Sequence, residues 1–250
     1  MTPFSDFYSL KVAYGICKAG YLPEKVSLID TLMDEARQAG RDSRADLIKQ
    51  ISFMIGVDDT PIVRTRKTYP EVMEALDRRI YGMKEIKERI AEHILAMQYA
   101  GVNNLAMLLV GSPGVGKTSI AEAVAEVYEC EVTYVDCSGV DAVGMCGLTK
   151  SYCGAQPSKI TDALQETGRL DTVLLIDELD KLSTGDGHGD PFSALIKPLG
   201  FQKAFHDEFF DEDIDMSNTK IIVTANDIDK IPGYIVNRSE EHTSELQSRI

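Results

Sequence analysis

The chain has 250 residues, 44% of them hydrophobic and 26% charged, which suits one large or two small globular domains with a buried core. Its net charge of −14 argues against a nucleic-acid-binding surface, which needs clustered lysine and arginine. No apolar run reaches the ~18 residues that a membrane span requires, and the N-terminus lacks secretory-signal features, so we expect a cytoplasmic protein without membrane contact.

The first quarter of the chain is predicted to be helical. Its apolar residues recur at helical spacing, and glycines and prolines separate the candidate helices, which cover about 5–18, 24–38 and 43–55. We therefore treat residues 1–66 as a helical N-terminal segment. Residues 67–100 are predicted to be a linker followed by amphipathic helices near 71–78 and 83–100.

From residue 101 onward, predicted strands alternate with helices. The strands are almost continuously apolar and cover 105–110, 131–137, 172–178 and 220–226. The intervening helices cover 117–128, 191–199 and a stretch that begins at Pro157, in its first turn, and ends near 167. Such strands between helices indicate an α/β fold of three layers, with a parallel sheet covered by helices on both faces.

A metal site is the less favoured interpretation of both the cysteines and the acidic run. The chain has five cysteines and no C-x-x-C pair, which favours reduced thiols over a disulfide framework or a zinc site. The acidic run from Asp207 to Asp215 is interpreted as a solvated loop in preference to a metal site, because Phe209 and Phe210 interrupt regular ligand spacing.

A glycine-rich motif provides the first chemical signal. Residues 111–118 read GSPGVGKT, which matches G-x-x-x-x-G-K-[ST] and lies between a predicted strand and a predicted helix. Its backbone N–H groups can surround a phosphate chain at the positive end of the helix dipole. Lys117 is expected to reach the β and γ phosphates of ATP, and Thr118 to bind Mg²⁺. The predicted nucleotide-binding residues of this loop are Gly111, Ser112, Pro113, Gly114, Val115, Gly116, Lys117, Thr118 and Ser119.

Two further strand ends carry residues suited to ATP hydrolysis. The apolar strand VLLIDE ends in Asp177, a predicted Mg²⁺ ligand, and Glu178, a predicted general base for the attacking water. Asn226 ends the strand KIIVTAN, where its amide could orient that water or simply cap a turn. Because the glycine loop and the acidic pair occur together, we prefer the catalytic interpretation of Asn226.

In this order, the motifs resemble those of the AAA+ ATPases and, more narrowly, of the Lon protease family. The similar stretches are YGMKEIKERIAEHI (81–94), GSPGVGKTSIAEAVA (111–125), YCGAQPSKI (152–160), LLIDELDK (174–181), GDPFSALI (189–196) and TANDIDKIPG (224–233). The resemblance implies a P-loop NTPase fold of the AAA+ type, with its ATPase core in residues 101–238.

The resemblance also implies roles that the residues alone do not show. Tyr81 and Gly82 would contact adenine, and Tyr152, followed by Cys153, would be the pore-loop aromatic that grips an unfolded polypeptide. Residues 183–189 would form a second pore loop. Arg238 would be the arginine finger that reaches a neighbouring subunit's γ-phosphate. Cys153 and Ser158 depart from the bulky aliphatic residue and the glycine usual in Lon.

At the level of the whole protein, the resemblance implies the ATPase motor of an ATP-dependent serine protease. Such a motor would work as a homo-hexamer on unfolded or damaged proteins, and nucleic acid would not be its partner. The alternatives are a chaperone-like AAA+ remodeller or regulatory ATPase without a protease domain, a nucleic-acid motor, which the acidity disfavours, and a nucleotide-dependent scaffold.

The C-terminal end looks foreign to the gene. From Arg238 to Ser248 the residues match, codon by codon, a reading frame through a widely used short-read sequencing adapter. We therefore expect residues 239–250 to be an adapter-derived tail and the gene to continue beyond about residue 237 with a lid and a Ser–Lys protease domain. The codon of Arg238 is the first one in this match, so the adapter sequence also accounts for this residue.

Overall fold

The computed structural model describes residues 11, 14–15, 23–57, 66–102, 104–184 and 189–241, excluding the side chains of 24, 42 and 238–241. Two helices near the N-terminus pack against each other, α1 (Pro23–Gln38) and α2 (Arg41–Gly56). They enclose a small core of their own around Ile29, Met33 and Ile51. The predicted helices over 24–38 and 43–55 are thus confirmed, whereas the one over 5–18 lies mostly outside the described residues.

Two helices then lead to the sheet, as the amphipathic pattern predicts. They are α3 (Tyr69–Arg79) and α4 (Lys84–Ala100). A capping box starts α3, in which Glu71 accepts the Thr68 N–H at 2.7 Å, and this bonding lowers the pKa of Glu71. Gly101, with φ of +71°, ends α4 in the left-handed conformation that glycine favours.

The central sheet has four parallel strands in the order β1–β6–β3–β2. Its strands are β1 (Leu105–Val110), β2 (Val132–Asp136), β3 (Val173–Asp177) and β6 (Lys220–Ala225). The larger helices that follow β1 and β2 are α5 (Lys117–Tyr128) and α7 (Lys159–Thr167). All four strands were expected from the sequence, and each lies within one or two residues of its predicted bounds.

Alternate strand residues face two separate cores, so the sheet is the middle of three layers. Leu105, Met107 and Leu175 pack with α3, α4 and α5 on one face. Ala106 and Leu174 pack on the other face with α7 and the elements that follow β3. This period of two is what a strand buried on both sides requires. The predicted three-layer α/β fold is confirmed.

The elements after β3 are shorter than the sequence predicts. The predicted helix over 191–199 is a 3₁₀ turn, Pro191–Leu195, followed by the short α8 (Ile196–Leu199). Two more 3₁₀ turns are Leu179–Lys181 and Ile228–Lys230. The last helix, α9 (Gly233–Glu241), includes residues 239–241 of the expected tail, and the rest of that tail lies outside the described residues.

One short helix was not predicted, and the start of another was predicted wrongly. The glycine-rich stretch after β2 contains a short helix, α6 (Ala142–Cys146), which Asp141 caps by accepting the Gly144 N–H at 2.9 Å. Pro157 does not start α7, because Ser158 occupies the N-cap and accepts the Thr161 N–H at 3.0 Å. In both places a side-chain cap decides the helix start.

The interpretation of the acidic run as a solvated loop was wrong in part, because the run belongs to a hairpin and Asp207 is buried, although Glu208, Asp211, Asp213 and Asp215 are exposed. Strands β4 (Ala204–Asp207) and β5 (Glu212–Asp215) pair antiparallel, and Phe205, Phe209 and Phe210 are buried beneath them. Buried aromatic residues, which interrupt the charges in the sequence, are what fold this stretch. No group of acidic, histidine or cysteine residues suited to a metal occurs within the described ranges.

Asp207 ties this hairpin to the start of α7. Its carboxylate is fully buried and accepts hydrogen bonds from the Ser158 N–H at 3.0 Å, the Phe209 N–H at 2.9 Å and the Thr161 hydroxyl. Several donors around one carboxylate offset the cost of burying its charge. Asp207 therefore organises the junction between β4, the loop after α6 and α7.

Gly147 lies so close to this junction that alanine should not fit. A Cβ atom there would lie 2.9 Å from Asp207 Oδ1 and 3.2 Å from the Phe209 nitrogen, and φ is +85°. Gly154 has the same φ of +85°, but a Cβ atom added to it would meet no atom within 4 Å. We expect Gly147→Ala to lower the free energy of unfolding by about 3 kcal/mol and Gly154→Ala by about 1 kcal/mol, measured by urea denaturation. Equal losses would contradict the close approach.

Candidate functional site

The glycine loop joins β1 to α5, as the motif predicts. Gly114 and Gly116 have φ of +80° and +94°, a region that other residues rarely adopt. The Gly111 N–H donates to the Ala225 carbonyl at 3.1 Å, so the loop is fastened to the end of β6. Gly116 is also the N-cap of α5, a helix of 12 residues. A turn with such geometry directs backbone N–H groups toward an anion at a helix N-terminus.

The Lys117 ammonium group lies at the centre of the site. Its side chain is largely buried, and Nζ donates to the Gly111 carbonyl at 2.6 Å, the Ser112 carbonyl at 3.3 Å and Asn226 Oδ1 at 2.7 Å. These three acceptors hold the cation between the glycine loop and the end of β6. A phosphate entering the loop would therefore meet a positioned positive charge.

The acidic pair lies at the carboxyl end of β3, beside β6. Glu178 has φ of +56°, an uncommon conformation for a residue with a side chain, and strained backbone of this kind is concentrated at functional sites. Thr224 links the two acids, since its hydroxyl donates to Asp177 Oδ1 and accepts the Glu178 N–H at 3.1 Å. The turn after β3 is thus fixed by a residue of the neighbouring strand.

Two side chains hold the Glu178 carboxylate from different elements. The Ser138 hydroxyl, after β2, donates to Oε2 at 2.7 Å, and Asn226 Nδ2 approaches Oε1 at 3.4 Å. The side-chain amide of Asn226 therefore lies between Lys117 and Glu178. The backbone N–H of Asn226 donates to Asp180 Oδ1 at 2.9 Å. The structure brings together the side chains that the sequence selected at three separate strand ends.

Sequence reasoning missed Ser138, Asp180 and Thr224. Each was recognisable only weakly, because a polar residue at a strand end is common. Thr224 offered the best signal, as the polar side chain near the end of the otherwise apolar strand IIVTA. Asp180 follows the acidic pair closely and is buried, which the sequence does not reveal.

Cys137 lies directly beneath the acidic side of the site. Its N–H donates to the Asp177 carbonyl at 3.0 Å, and the side chain is fully buried. Burial, reinforced by the negative charges of Asp136 and Asp177, raises the pKa of the Cys137 thiol to about 12. This thiol stays protonated at neutral pH and acts as a packing group. Cys130, Cys137, Cys146 and Cys153 are not in disulfide bonds.

The remaining predicted nucleotide ligands lie around the loop with unequal exposure. Thr118, in the first turn of α5, is exposed, and Ser119 is half-buried. Ser112, Pro113 and Gly114 are exposed, while Val115 is half-buried. Exposure of the loop leaves its polar groups accessible to a ligand.

Tyr81 and Gly82 form the turn between α3 and α4, on the side of the sheet where α3 packs against α5. The Tyr81 side chain is fully exposed, and Gly82 has φ of +71°. Within the described structure, Tyr81 makes no hydrogen bond to the group around Lys117. The predicted adenine contact therefore remains a prediction.

Tyr152 and Cys153 lie in a separate, exposed loop. We call residues 148–157 the substrate-loop candidate; it closes on an isolated antiparallel bridge between Leu148 and Gln156. Tyr152 is 65% exposed, and the turn is held by its N–H, which donates to the Thr149 carbonyl at 3.0 Å. A large aromatic side chain left in solvent on an ordered turn is available for contact with another chain.

Two predicted elements lie wholly or partly outside the described structure. The structure does not describe residues 185–188 of the predicted second pore loop. For Arg238 it describes the backbone, which is helical within α9, but not the side chain.

A glycine loop between a parallel strand and a helix, with a lysine, an acidic pair and an asparagine at neighbouring strand ends, defines a P-loop nucleotide-binding protein. The sequence comparisons agree. Residues 107–244 match the model of the AAA family, "ATPase family associated with various cellular activities". The chain belongs to this ATPase family.

Within the family, the chain is similar to Lon proteases, so the predicted resemblance is confirmed. It is 37% identical over 199 residues to "Lon protease homolog, mitochondrial" of Yarrowia lipolytica, which covers 78% of this chain and 16% of the relative. It is 38% identical over 187 residues to "Lon protease" of Borrelia duttonii, covering 73% of this chain and 23% of the relative.

A third relative, "Lon protease 1" of Borreliella burgdorferi, is 36% identical over 224 residues, or 87% of this chain and 27% of the relative. Only 184 residues lie between positions 67 and 250. A match of this length therefore also includes part of the N-terminal segment 1–66. The chain thus spans between 16% and 27% of the length of these three relatives. Among the residues that the structure describes, no helix is long and apolar enough to span a membrane.

Proposed function

We propose that the glycine loop binds ATP and that Asp177, Glu178 and Asn226 support its hydrolysis. The observation that carries this proposal is the Lys117 ammonium group, held at 2.7 Å from Asn226 Oδ1 while Asn226 Nδ2 lies 3.4 Å from Glu178. One chain of contacts thereby connects the phosphate-binding loop to the proposed general base. A glycine turn that served structure alone would have no need of this connection.

The residues present fit ATP and Mg²⁺. The space beside Gly114 and Gly116 is open, so backbone N–H groups are accessible to phosphate oxygens. The Thr118 hydroxyl and the Asp177 carboxylate are hard oxygen donors of the kind Mg²⁺ prefers, and they would hold it. When bound, Mg²⁺ would neutralise charge that develops on the phosphate oxygens.

Glu178 is suited to accept a proton from water. Its carboxylate is restrained by Ser138 and Asn226, so it is oriented before a substrate arrives. Thr224 fixes the backbone beneath it. In this arrangement Lys117 would contact the β and γ phosphates, and Asn226 would position the attacking water beside Glu178.

At the level of the whole protein, we propose the motor of a Lon-like ATP-dependent serine protease. The relatives' names support this proposal over a remodeller without a protease domain, and the exposed aromatic residue Tyr152 is suited to polypeptide contact in either case. The motor would act as a homo-hexamer, with Tyr81 and Gly82 at adenine and Arg238 at a neighbour's phosphate. It would pull unfolded or damaged proteins with the Tyr152–Cys153 turn. Relatives named mitochondrial match as well as bacterial ones, and the cytoplasmic location stays a prediction.

Polypeptide binding can be tested with fluorescently labelled casein, a disordered protein, titrated with the chain in the presence of Mg²⁺ and ATP. We expect Tyr152→Ala to weaken binding about tenfold, because a central aromatic anchor contributes strongly to such contacts. Tyr152→Phe should retain most of the affinity. Fluorescence anisotropy measures each dissociation constant.

Tyr99→Ala is the matched control, since Tyr99 is 81% exposed and lies on α4. If Tyr152→Ala and Tyr99→Ala bind casein as tightly as the parent chain, the Tyr152 loop does not contact substrate. Casein binding that is independent of ATP would contradict a nucleotide-driven motor.

A further inference from the structure

We propose that Gln50 is a positioning residue that fastens the substrate-loop candidate to α2 and the β4–β5 hairpin. The N-terminal helix pair and the loop that carries Tyr152 would then move as one unit. The meaning for substrate handling rests on the proposed function, whereas the fastening itself rests on contacts within the chain.

The first observation is that both ends of the loop meet at one buried carboxylate. Gly147 precedes the loop and Ser158 follows it, and both lie against Asp207 of β4. In addition, the Glu208 N–H donates to the Cys146 carbonyl at 2.8 Å. The loop therefore projects from the hairpin, and any element that holds the hairpin also holds the base of the loop.

The second observation is that α2 packs on this hairpin. The rings of Phe53 and Phe210 lie 5.5 Å apart between centroids, and both side chains are buried. The Lys49 ammonium group lies 5.2 Å from the centroid of the Phe209 ring. This tilted aromatic pair and the cation–π contact attach α2 to the hairpin.

The third observation concerns the Gln50 side chain, which is 4% exposed. Its Nε2 donates to Glu212 Oε1 of β5 at 2.9 Å, and its Oε1 accepts from Lys150 Nζ at 2.6 Å. Lys150 belongs to the substrate-loop candidate, two residues before Tyr152. One neutral amide thus connects the N-terminal helix pair, the hairpin and the loop.

The surroundings of this bridge make its loss consequential. Desolvation lowers the pKa of Lys150 and raises the pKa of Glu212, so each charged group depends on its remaining partners. Lys150 also lies 5.4 Å from the Phe209 ring centroid. An alanine at position 50 would leave both groups with one partner fewer, and the loop would lose its direct bond to α2.

A spin label on Cys153 would report the loop directly, because Cys153 is the exposed thiol among the described cysteines. The background carries Cys17→Ser, Cys130→Ser and Cys146→Ser, and retains Cys137, which is fully buried. Electron paramagnetic resonance at room temperature measures the ratio of mobile to immobilised label. We expect Gln50→Ala to raise this ratio about fivefold, the effect of one lost hydrogen bond.

Lys150→Met removes the same bond from the other side. It should raise the ratio by a similar factor, and the double variant should stay within about twofold of either single one, since both remove one interaction. Gln38→Ala, at an exposed position on the paired helix α1, is the matched control and should leave the ratio unchanged.

An unchanged ratio in Gln50→Ala, with the chain still folded by urea denaturation, would overturn the proposal. A rise equal to that of Gln38→Ala would do the same. Loss of stability without loop mobilisation would also overturn it, and would assign Gln50 a packing role only. Casein binding separates this result from the proposed function, because Tyr152→Ala can fail to affect casein while the label still reports the fastening.

Discussion

Lys117→Ala is expected to abolish measurable ATP binding by the chain. The variant removes the only cation that the described structure places between Gly111 and Asn226, so the phosphates lose their charged donor. Charge-assisted hydrogen bonds of this kind are strong, and we expect the dissociation constant to rise at least about 100-fold. Isothermal titration with ATP and Mg²⁺ measures the change.

Lys197→Ala is the matched control, because it removes one positive charge from the surface pair with Asp213. It should bind ATP as the parent chain does. Since Lys117 is largely buried, circular dichroism must show that the alanine variant is folded. A folded variant with unchanged ATP affinity would contradict the phosphate-binding role of Lys117.

Glu178→Gln is expected to stop hydrolysis while ATP still binds. The amide keeps the shape of the side chain and can still meet Ser138 and Asn226, but it cannot accept a proton from water. General-base catalysis typically contributes about 10²–10⁴-fold, so we expect the hydrolysis rate to fall about 10³-fold and the dissociation constant for ATP to change less than about twofold.

This rate is best measured in single turnover, with the chain in excess over radiolabelled ATP, so that slow hydrolysis remains visible. Glu208→Gln, a neutralised acid on the hairpin, serves as the control. If Glu178→Gln retains the parent rate, another group activates the water.

Strands with a continuous apolar pattern could be predicted well because burial on both faces dictates their composition. The predicted bounds of the strand Leu105–Val110 agree with the structure at both ends, and those of Val173–Asp177 differ by one residue at each end. The helix of the glycine loop, Lys117–Tyr128, was equally clear, since the motif marks its start. Here local pattern and tertiary fold agree.

The β4–β5 hairpin could not be predicted, because its charges obscure a buried aromatic set. Asp207 looks like a solvent-exposed residue in the sequence, yet it is fully buried and accepts hydrogen bonds from four other residues, Ser158, Thr161, Phe209 and Phe210. Only the folded chain shows that Ser158 and Thr161 supply two of them. Hydrogen bonds from residues far away in the sequence help to satisfy this carboxylate, and they leave no recognisable pattern in the sequence around Asp207.

The site likewise contains residues that the sequence could predict and residues that it could not. Lys117, Asp177 and Glu178 carry motif signals, and their placement follows from parallel strands ending at one edge of the sheet. Their supports, Ser138 and Thr224, depend on which strands are neighbours. Strand order could not be obtained from the sequence, so these supporting residues emerged only with the fold.

The most direct test of the central claim is single-turnover ATP hydrolysis by the full-length protein with and without casein. An ATP-driven motor that acts on polypeptides predicts that saturating casein accelerates hydrolysis at least about fivefold, a modest coupling between two sites, and that Tyr152→Ala removes this acceleration. Hydrolysis at the same rate with and without bound casein would contradict the account.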